Sequence, residues 1–268
     1  MIALLSACPA LEPWLARTTE LSAYLWEKGW AERNAGNLSV DVTDCLAPAS
    51  EDGPFAPLEG RYRGLAGRAF LVTGTGRRFR DLAGDPARNA CVVRMADAGF
   101  VRLWGGADIP GFRPTSEFPA HLRVHEFLRE ADRRERAVLH THPTELVALT
   151  HLPEYKDEDA LNRALFAMHP EVKVSVPRGV GFVPYEVPGS EALALASAAA
   201  FRRGHAVALW EMHGAVAIGA DVMEAFDLID TANKAARILL LCRAAGCVPA
   251  GLSQDRLDAL VRAFGLQE

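Results

Sequence analysis

Short apolar strands and amphipathic helices are mixed along the whole chain, with no linker-like stretch and no internal repeat between them. Strand-like runs include "AFLVTG", residues 136–140 and "GAVAIG", whereas residues 118–131 and 221–245 have the spacing of apolar residues that is typical of helices. A sheet of such strands needs helices to cover it. The pattern therefore predicts one α/β domain over residues 1–268, with helices covering a mixed sheet.

The rest of the chain continues this pattern. Further helices are predicted at 12–28, 143–151, 154–168, 189–203 and 253–264. Further strands are predicted in "NLSVDV", "VKVSVP", "GVGFVPYEV" and "HAVALWEM", and two strands joined by a turn in "NACVVRMADAGFVRLWG". Residues 44–66 are rich in Pro and Gly, which predicts a long surface loop with a functional or interface role.

Composition limits the kinds of partner that the protein is expected to bind and the cell compartment in which it is expected. The formal net charge of −5 and the lack of a run of like charges give no basic surface for nucleic acid or an acidic membrane. The segment Leu4–Cys8, "LLSAC", imitates a lipoprotein cleavage site, but no Lys or Arg precedes Cys8. The five cysteines are scattered, with no C-x-x-C pair, which fits reduced thiols. We therefore expect a cytoplasmic protein that acts on a small molecule.

Two histidines, His140 and His142, stand one residue apart at the end of an apolar strand. Residues i and i+2 of a strand share a face, so both imidazoles are expected to point the same way. A third histidine, His213, again lies between an apolar strand and a glycine. Three protein ligands with an open position are typical of catalytic zinc, whereas histidines that only border turns are the alternative.

A carboxylate and two glycine-containing turns extend the candidate site. Glu117 in "RPTSEFPAH" is the candidate base, and the alternative is a favourable interaction with the dipole of the helix that it begins. The turns "AERNAGNLSV" and "VTGTGRRF" expose backbone N–H groups that can hold a phosphate. The second turn lacks the third glycine of a dinucleotide-binding fingerprint, which disfavours a Rossmann fold.

Seven blocks in order give the chain a resemblance to the class II (zinc-dependent) aldolase/adducin family, especially to members that act on rhamnulose 1-phosphate. The blocks are "GWAERNAGNLS", "FLVTGTGRRFRD", "PTSEFPAH", "HTHPTELVALT", "PRGVGFVPYEVPGS", "ALWEMHG" and "FDLIDTANKAARI". The resemblance covers nearly the whole chain. It implies a three-layer α/β/α sandwich around a mixed, largely antiparallel sheet, and a fourfold homotetramer with active sites between subunits.

The resemblance also implies roles for individual residues. It makes His140, His142 and His213 the ligands of one Zn2+ per subunit, and Glu117 the acid/base. Glu171 takes the position of a second carboxylate, used when the aldehyde is engaged, and its alternative role is a surface charge at a strand edge. The pocket for the phosphate of dihydroxyacetone phosphate is formed by Asn34, Asn37, Thr75, Gly76 and Ser116. The implied reaction is reversible cleavage of L-rhamnulose 1-phosphate to dihydroxyacetone phosphate and L-lactaldehyde, with zinc stabilising the enediolate.

The chain departs from the family pattern at the walls of this site. Thr75 replaces a serine, Arg77-Arg78 stands where one lysine and an aromatic residue are typical, and Glu211-Met212 replaces Pro and Phe. These departures bear on substrate preference more than on reaction class. The alternatives are therefore a fuculose-phosphate aldolase, a ribulose-phosphate 4-epimerase, a sugar-phosphate dehydratase or a non-enzymatic, adducin-like scaffold.

Overall fold

A computed structural model describes residues 8–46, 53–106 and 109–266. Within these residues nine strands form one sheet, in the order β2-β5-β4-β3-β1-β6-β9-β8-β7. The strands are β1 (Asn37–Asp41), β2 (Phe55–Pro57), β3 (Ala69–Thr73), β4 (Ala90–Ala96), β5 (Gly99–Trp104), β6 (Ala137–Thr141), β7 (Val180–Val183), β8 (Val207–Trp210) and β9 (Gly214–Gly219). Only the β7–β8 pair is parallel among them, so the predicted mixed, largely antiparallel sheet is confirmed.

Helices lie on both faces of the sheet. They are α1 (Glu12–Glu27), α2 (Phe79–Leu82), α3 (Pro86–Asn89), α4 (Phe118–Glu130), α5 (Thr144–Thr150), α6 (Glu158–Met168), α7 (Pro170–Ser175), α8 (Glu191–Arg202), α9 (Val222–Ala244) and α10 (Gln254–Phe264). Short 3-10 turns occupy Pro9–Leu11, Thr43–Cys45, Arg63–Leu65 and Pro153–Tyr155. Helices α4 and α8 pack on one face, and α1, α5, α6 and α9 on the other, which gives the expected α/β/α layers.

The side chains of the central strands alternate between the two faces. On β6, Ala137 and Leu139 join the core under α1 and α9, whereas Val138 joins the core under α4 and α8. On β1, Leu38 and Val40 face the α1 side in the same way. Because successive residues of a strand point to opposite faces, the polar residues between them on β1 must face α4. This alternation places polar side chains between the sheet and α4.

One predicted strand is a helix. The segment "VKVSVP" alternates valines, but its residues 172–175 belong to α7, Pro170–Ser175, so the strand prediction was wrong. Val172 and Val176 are both buried, and their spacing of four residues puts them on one side of a helical turn. Pro170 at the first helical position has its ring-fixed φ already suited to a helix.

Other segments differ from prediction in extent. The predicted loop 44–66 holds the short strand β2 and a 3-10 turn, although residues 47–52 lie outside the described part of the chain. The helix predicted from residue 154 begins at Glu158, because the side chain of Asp157 caps it. The segment Leu4–Cys8 lies outside the described residues except for Cys8. Among the described residues, none of the helices combines the length and the apolar character that a transmembrane helix needs.

Candidate active site

Strand directions bring five separate turns to one edge of the sheet. Strand β1 begins at Asn37 and runs antiparallel to both β3 and β6, so the ends of those strands meet its start. Strand β9 begins beside the end of β6, which adds the turn between β8 and β9. A bridge between Gly74 and Pro114 adds the segment that leads into α4. Every residue predicted for the metal and phosphate sites lies on one of these turns or at the end of the adjoining strand.

The three predicted histidines come together at this edge. The candidate ligand atoms of His140, His142 and His213 all lie within 4.8 Å of one another. Their ring centroids are 4.8 to 5.3 Å apart. His140 is buried and is the penultimate residue of β6. His142 directly follows that strand, and His213 lies in the turn before β9. Gly214 permits this approach, since a Cβ atom there would lie 2.7 Å from Cε1 of His140.

Hydrogen bonds orient two of the rings. Nδ1 of His140 lies 3.0 Å from the carbonyl oxygen of Ala215, and Nδ1 of His142 lies 2.8 Å from a carboxylate oxygen of Glu32. Such bonds fix the tautomer of a metal-binding imidazole and leave Nε2 for the ion. Glu32 was not among the predicted site residues, although it lies in the same "AERNAGN" turn.

The unpartnered nitrogens test whether a metal fits. Nε2 of His140 is buried and has no hydrogen bond partner in the described chain. Burial lowers the pKa of His140 well below its usual value, and it lowers the pKa of His213 to about 4. Both imidazoles are therefore neutral, the form that binds a metal. An orphaned buried nitrogen beside two further imidazoles, with His140 and His213 neutral, fits a divalent ion.

Glu117 faces the histidines instead of capping its helix. Its side chain makes no capping bond to α4, which excludes a side-chain cap as the reason for its position. Its carboxylate oxygens lie 3.4 Å from Nε2 of His140 and 3.5 Å from Nε2 of His213. The residue is only 6% exposed, and burial raises its pKa, although the Asn37 bond and the charge of His142 lower it. A buried carboxylate with a raised pKa suits proton transfer near neutral pH.

The predicted phosphate residues are of two kinds. Asn34, Gly76 and Ser116 are exposed. No described residue forms a hydrogen bond with the side chain of Asn34, the side chain of Ser116 or the backbone N–H of Gly76. Thr75 is also exposed, but its hydroxyl donates to Pro114 and its N–H donates to Arg113. The first three therefore have free donors for a ligand, whereas Thr75 must rotate to offer its hydroxyl.

Asn37 differs from the other predicted phosphate residues. Its side chain is 7% exposed, and its Nδ2 donates to Glu117 at 2.7 Å. Its Oδ1 lies 2.6 Å from Nε2 of His121. Both polar atoms of the side chain are therefore occupied within the protein. The structure thus brings Asn37 to the carboxylate of Glu117.

Known proteins resemble this chain over most of its length. The family model described as Class II Aldolase and Adducin N-terminal domain matches residues 16–240. The chain belongs to the class II aldolase and adducin family. It is 38% identical over 278 residues to a rhamnulose-1-phosphate aldolase of Bacteroides thetaiotaomicron, with 99% of each chain covered. It is 36% identical over 249 residues to the Escherichia coli protein of that name, with 90% of this chain and 89% of the relative covered.

A solved structure agrees with the family assignment. The sugar-phosphate aldolase from Thermotoga maritima superimposes with a TM-score of 0.74 at 32% identity, over 90% of this chain and 100% of that one. The expected family resemblance and fold are both confirmed. Members of this fold therefore include curated aldolases that match almost the full length of this chain.

Among the predicted site residues of this family member, Glu171 is the one that does not lie with the three histidines in the described chain. It lies in the first turn of α7, not at a strand edge, and it is exposed. It makes no hydrogen bond or ion pair with the described residues. Helix α7 packs on α6, α9 and α10, away from α4.

The departures at Glu211 and Met212 have a structural function in this family member. The carboxylate of Glu211 accepts from Lys156 at 2.6 Å and from the N–H of Tyr185 at 2.9 Å. Met212 has a φ of +57°, and its N–H donates to Thr150. Together these contacts fix the turn that carries His213.

Proposed function

We propose that this protein is a zinc-dependent aldolase that reversibly cleaves L-rhamnulose 1-phosphate to dihydroxyacetone phosphate and L-lactaldehyde. The observation that carries the proposal is the buried carboxylate of Glu117, 3.4 Å and 3.5 Å from the Nε2 atoms of His140 and His213. The relatives named above support the substrate, because they match this chain over 90% or more of its length.

In this proposal His140, His142 and His213 hold one Zn2+ per subunit. A zinc ion held by three protein ligands supplies Lewis-acid stabilisation of negative charge that develops on substrate oxygens. Glu117 removes the proton from the hydroxymethyl carbon of dihydroxyacetone phosphate in the synthetic direction and returns it during cleavage. Asn34, Gly76 and Ser116 donate hydrogen bonds to the phosphate.

Uncompensated arginines support an anionic substrate at this edge. Arg77 and Arg78 follow Gly76 directly, and Arg113 precedes the Ser116 turn. None of the three makes an ion pair with a described residue, and Nε of Arg77 is buried without a partner. Guanidinium groups bind phosphate through paired hydrogen bonds, which the single ammonium group of lysine does not offer. We therefore propose that the Arg77-Arg78 pair, unusual for the family, strengthens binding of the phosphate.

A scaffold without activity is a poor alternative. A protein that serves only as a scaffold gains nothing from an orphaned imidazole nitrogen buried beside a carboxylate, because an unpaired buried polar group costs about 1–3 kcal/mol. The related sugar-phosphate activities differ in the aldehyde or in the fate of the substrate, and a substrate panel separates them.

We also propose a fourfold homotetramer with active sites between subunits. Large apolar side chains are exposed beside the site: Tyr185 is 59% exposed and Val187 is 61% exposed. Tyr185 is tied through Glu211 to the turn that carries His213. A heterologous interface over this surface would close into a ring. Sedimentation equilibrium is expected to show four chains, and a fully active monomer would contradict the proposal.

The reaction is tested with zinc-loaded protein and a panel of phosphorylated ketoses. We expect cleavage of L-rhamnulose 1-phosphate to dihydroxyacetone phosphate and L-lactaldehyde, lost on chelation and restored by zinc. Faster turnover of L-fuculose 1-phosphate, or epimerisation of ribulose 5-phosphate instead of cleavage, would show that the enzyme acts on a different substrate from the one proposed. Absence of turnover with every member of the panel would refute the proposed enzyme.

A further inference from the structure

A chain of buried hydrogen bonds leads from Glu117 through the interior to helix α4. Asn37 Nδ2 donates to Glu117 at 2.7 Å, and Asn37 Oδ1 lies 2.6 Å from His121 Nε2. Ser39 Oγ lies 2.8 Å from His121 Nδ1 and 2.8 Å from His125 Nε2. Every residue that takes part in these hydrogen bonds is at most 7% exposed.

The fold assembles this chain from two simple periodicities. Asn37 and Ser39 are two residues apart on β1 and therefore share the face that α4 covers. Glu117, His121 and His125 are four residues apart at the start of α4 and along it, so they share one side of the helix. The two polar rows meet in a layer that is otherwise apolar.

The direction of every hydrogen bond follows from the ionised carboxylate. A carboxylate only accepts, so Asn37 presents its amide N–H to Glu117 and its carbonyl to His121. His121 must then carry its proton on Nε2, which leaves Nδ1 as an acceptor for the Ser39 hydroxyl. The one hydroxyl proton of Ser39 is thereby used, so His125 donates to it from Nε2. If the Asn37 amide were flipped, its Oδ1 would take the place of Nδ2 and lie 2.7 Å from a carboxylate oxygen of Glu117, so that two acceptors would face each other.

The hydrogen-bond order requires His121 to be neutral, because its Nδ1 accepts from Ser39. Burial lowers the pKa of His121 to about 3 and that of His125 to about 4. A protonated His121 would lack the nitrogen that accepts from Ser39. At His125 the effect of burial outweighs that of the Asp41 carboxylate, which raises the pKa.

We propose that His121, Ser39 and His125 are positioning residues for the general base. They hold the Asn37 amide in one of its two orientations, so that its N–H aims one oxygen of Glu117 and leaves the other facing the substrate. This inference rests on the proposed aldolase function, since the effect is on proton removal by Glu117. It replaces the predicted phosphate contact of the Asn37 side chain with a contact to the base.

The kinetic test uses Ser39→Ala, with Ser39→Thr as the conservative variant and Ser22→Ala as the matched control. Ser22 is also a buried serine, but its hydroxyl donates within α1 to Thr19. Exchange of the dihydroxyacetone phosphate proton into deuterated water is measured in zinc-loaded proteins. We expect kcat to fall about three- to tenfold in Ser39→Ala, the scale of one lost hydrogen bond. KM is expected to stay within about twofold, because the Asn37 amide does not bind phosphate in this scheme.

The expected recovery in Ser39→Thr separates positioning from packing. Wild-type kcat in Ser39→Ala would overturn the inference, as would an equal loss in Ser22→Ala. Neutron diffraction from the zinc-loaded wild-type protein provides a readout that needs no activity and no variant. Deuterium is expected on Nε2 of His121 and not on Nδ1, and the opposite tautomer would overturn the proposed chain. A wild-type enzyme that exchanges no proton would instead refute the aldolase function, and the tautomer would still decide the hydrogen-bond order.

Discussion

Nε2 of His140 and a carboxylate oxygen of Glu117 lie 3.4 Å apart in a buried layer, and that nitrogen has no hydrogen bond partner in the described chain. The distance is long for a hydrogen bond but short for two groups that share a ligand. The neutral imidazole of His140, a candidate metal ligand, and the carboxylate of Glu117, the candidate base, thus face the same small space.

Removing two ligands is expected to abolish metal binding. We expect about one zinc per subunit in the wild type, as in other three-ligand open sites, and none in the His140→Ala/His142→Ala double variant. Plasma mass spectrometry of the purified proteins measures the content. His205→Gln is the matched control, because His205 is buried but bonds to Glu158 and Gly179. Full zinc occupancy in the double variant would contradict the ligand assignment.

Chelation is expected to stop activity without unfolding the protein. The sheet and its helices bury large apolar clusters on both faces, and those clusters do not depend on an ion. Circular dichroism before and after treatment with a chelator measures the fold, and addition of zinc should restore turnover. Unfolding by the chelator would show that the metal is structural.

Loss of a free donor at the rim is expected to weaken phosphate binding. Asn34→Ala and Ser116→Ala each remove an exposed polar group that no described residue occupies. A hydrogen bond to a charged group contributes about 1.5–3 kcal/mol, so KM for dihydroxyacetone phosphate should rise about tenfold or more. Thr19→Ala, an exposed hydroxyl on α1, is the control. An unchanged KM in both rim variants would remove these residues from the phosphate site.

The buried histidines of α4 are expected to make the fold acid-sensitive. The pKa of His125 is about 4 in the folded protein, against about 6.5 in an unfolded chain. Between these values the unfolded state binds more protons, so the free energy of unfolding falls as pH falls. The slope contributed by His125 is about 1.4 kcal/mol per pH unit. Urea denaturation of the metal-free wild type and His125→Gln, from pH 6 to 4.5, should give a shallower dependence in the variant. Equal slopes would exclude a neutral buried His125.

Much of this site can be predicted from the sequence, because strand ends are easy to locate. The His140-x-His142 pair closes an apolar strand, and an antiparallel neighbour brings His213 to the same edge. The hydrogen-bond chain behind Glu117 was missed, although Asn37 and Ser39 at a spacing of two and His121 and His125 at a spacing of four gave a signal. Neither row alone indicates a partner, and the pairing depends on how α4 lies on β1.

The errors have a similar cause. Alternating valines in "VKVSVP" have the period of a strand, but burial of Val172 and Val176 against other helices favours α7. The local sequence pattern carries no information about that tertiary packing. The alternative role predicted for Glu171, a surface charge at a strand edge, rested on the same pattern, whereas the residue lies in the first turn of α7. We propose that Glu171 acts on the aldehyde across an interface between subunits, since in the single chain it is exposed and makes no hydrogen bond or ion pair with a described residue.

The last prediction separates the two carboxylates. Glu117→Gln keeps the size of the side chain and removes the base, so zinc content and fold should not change. Proton exchange from dihydroxyacetone phosphate into deuterated water should slow by about 100-fold or more, the scale of general-base catalysis. This exchange needs no aldehyde, so it isolates deprotonation from carbon–carbon bond formation. Glu171→Gln should retain most of the exchange and lose more of the cleavage activity, because its proposed role lies at the aldehyde. Near-normal exchange in zinc-loaded Glu117→Gln would overturn the assignment of the base, even if the protein still cleaved the sugar phosphate.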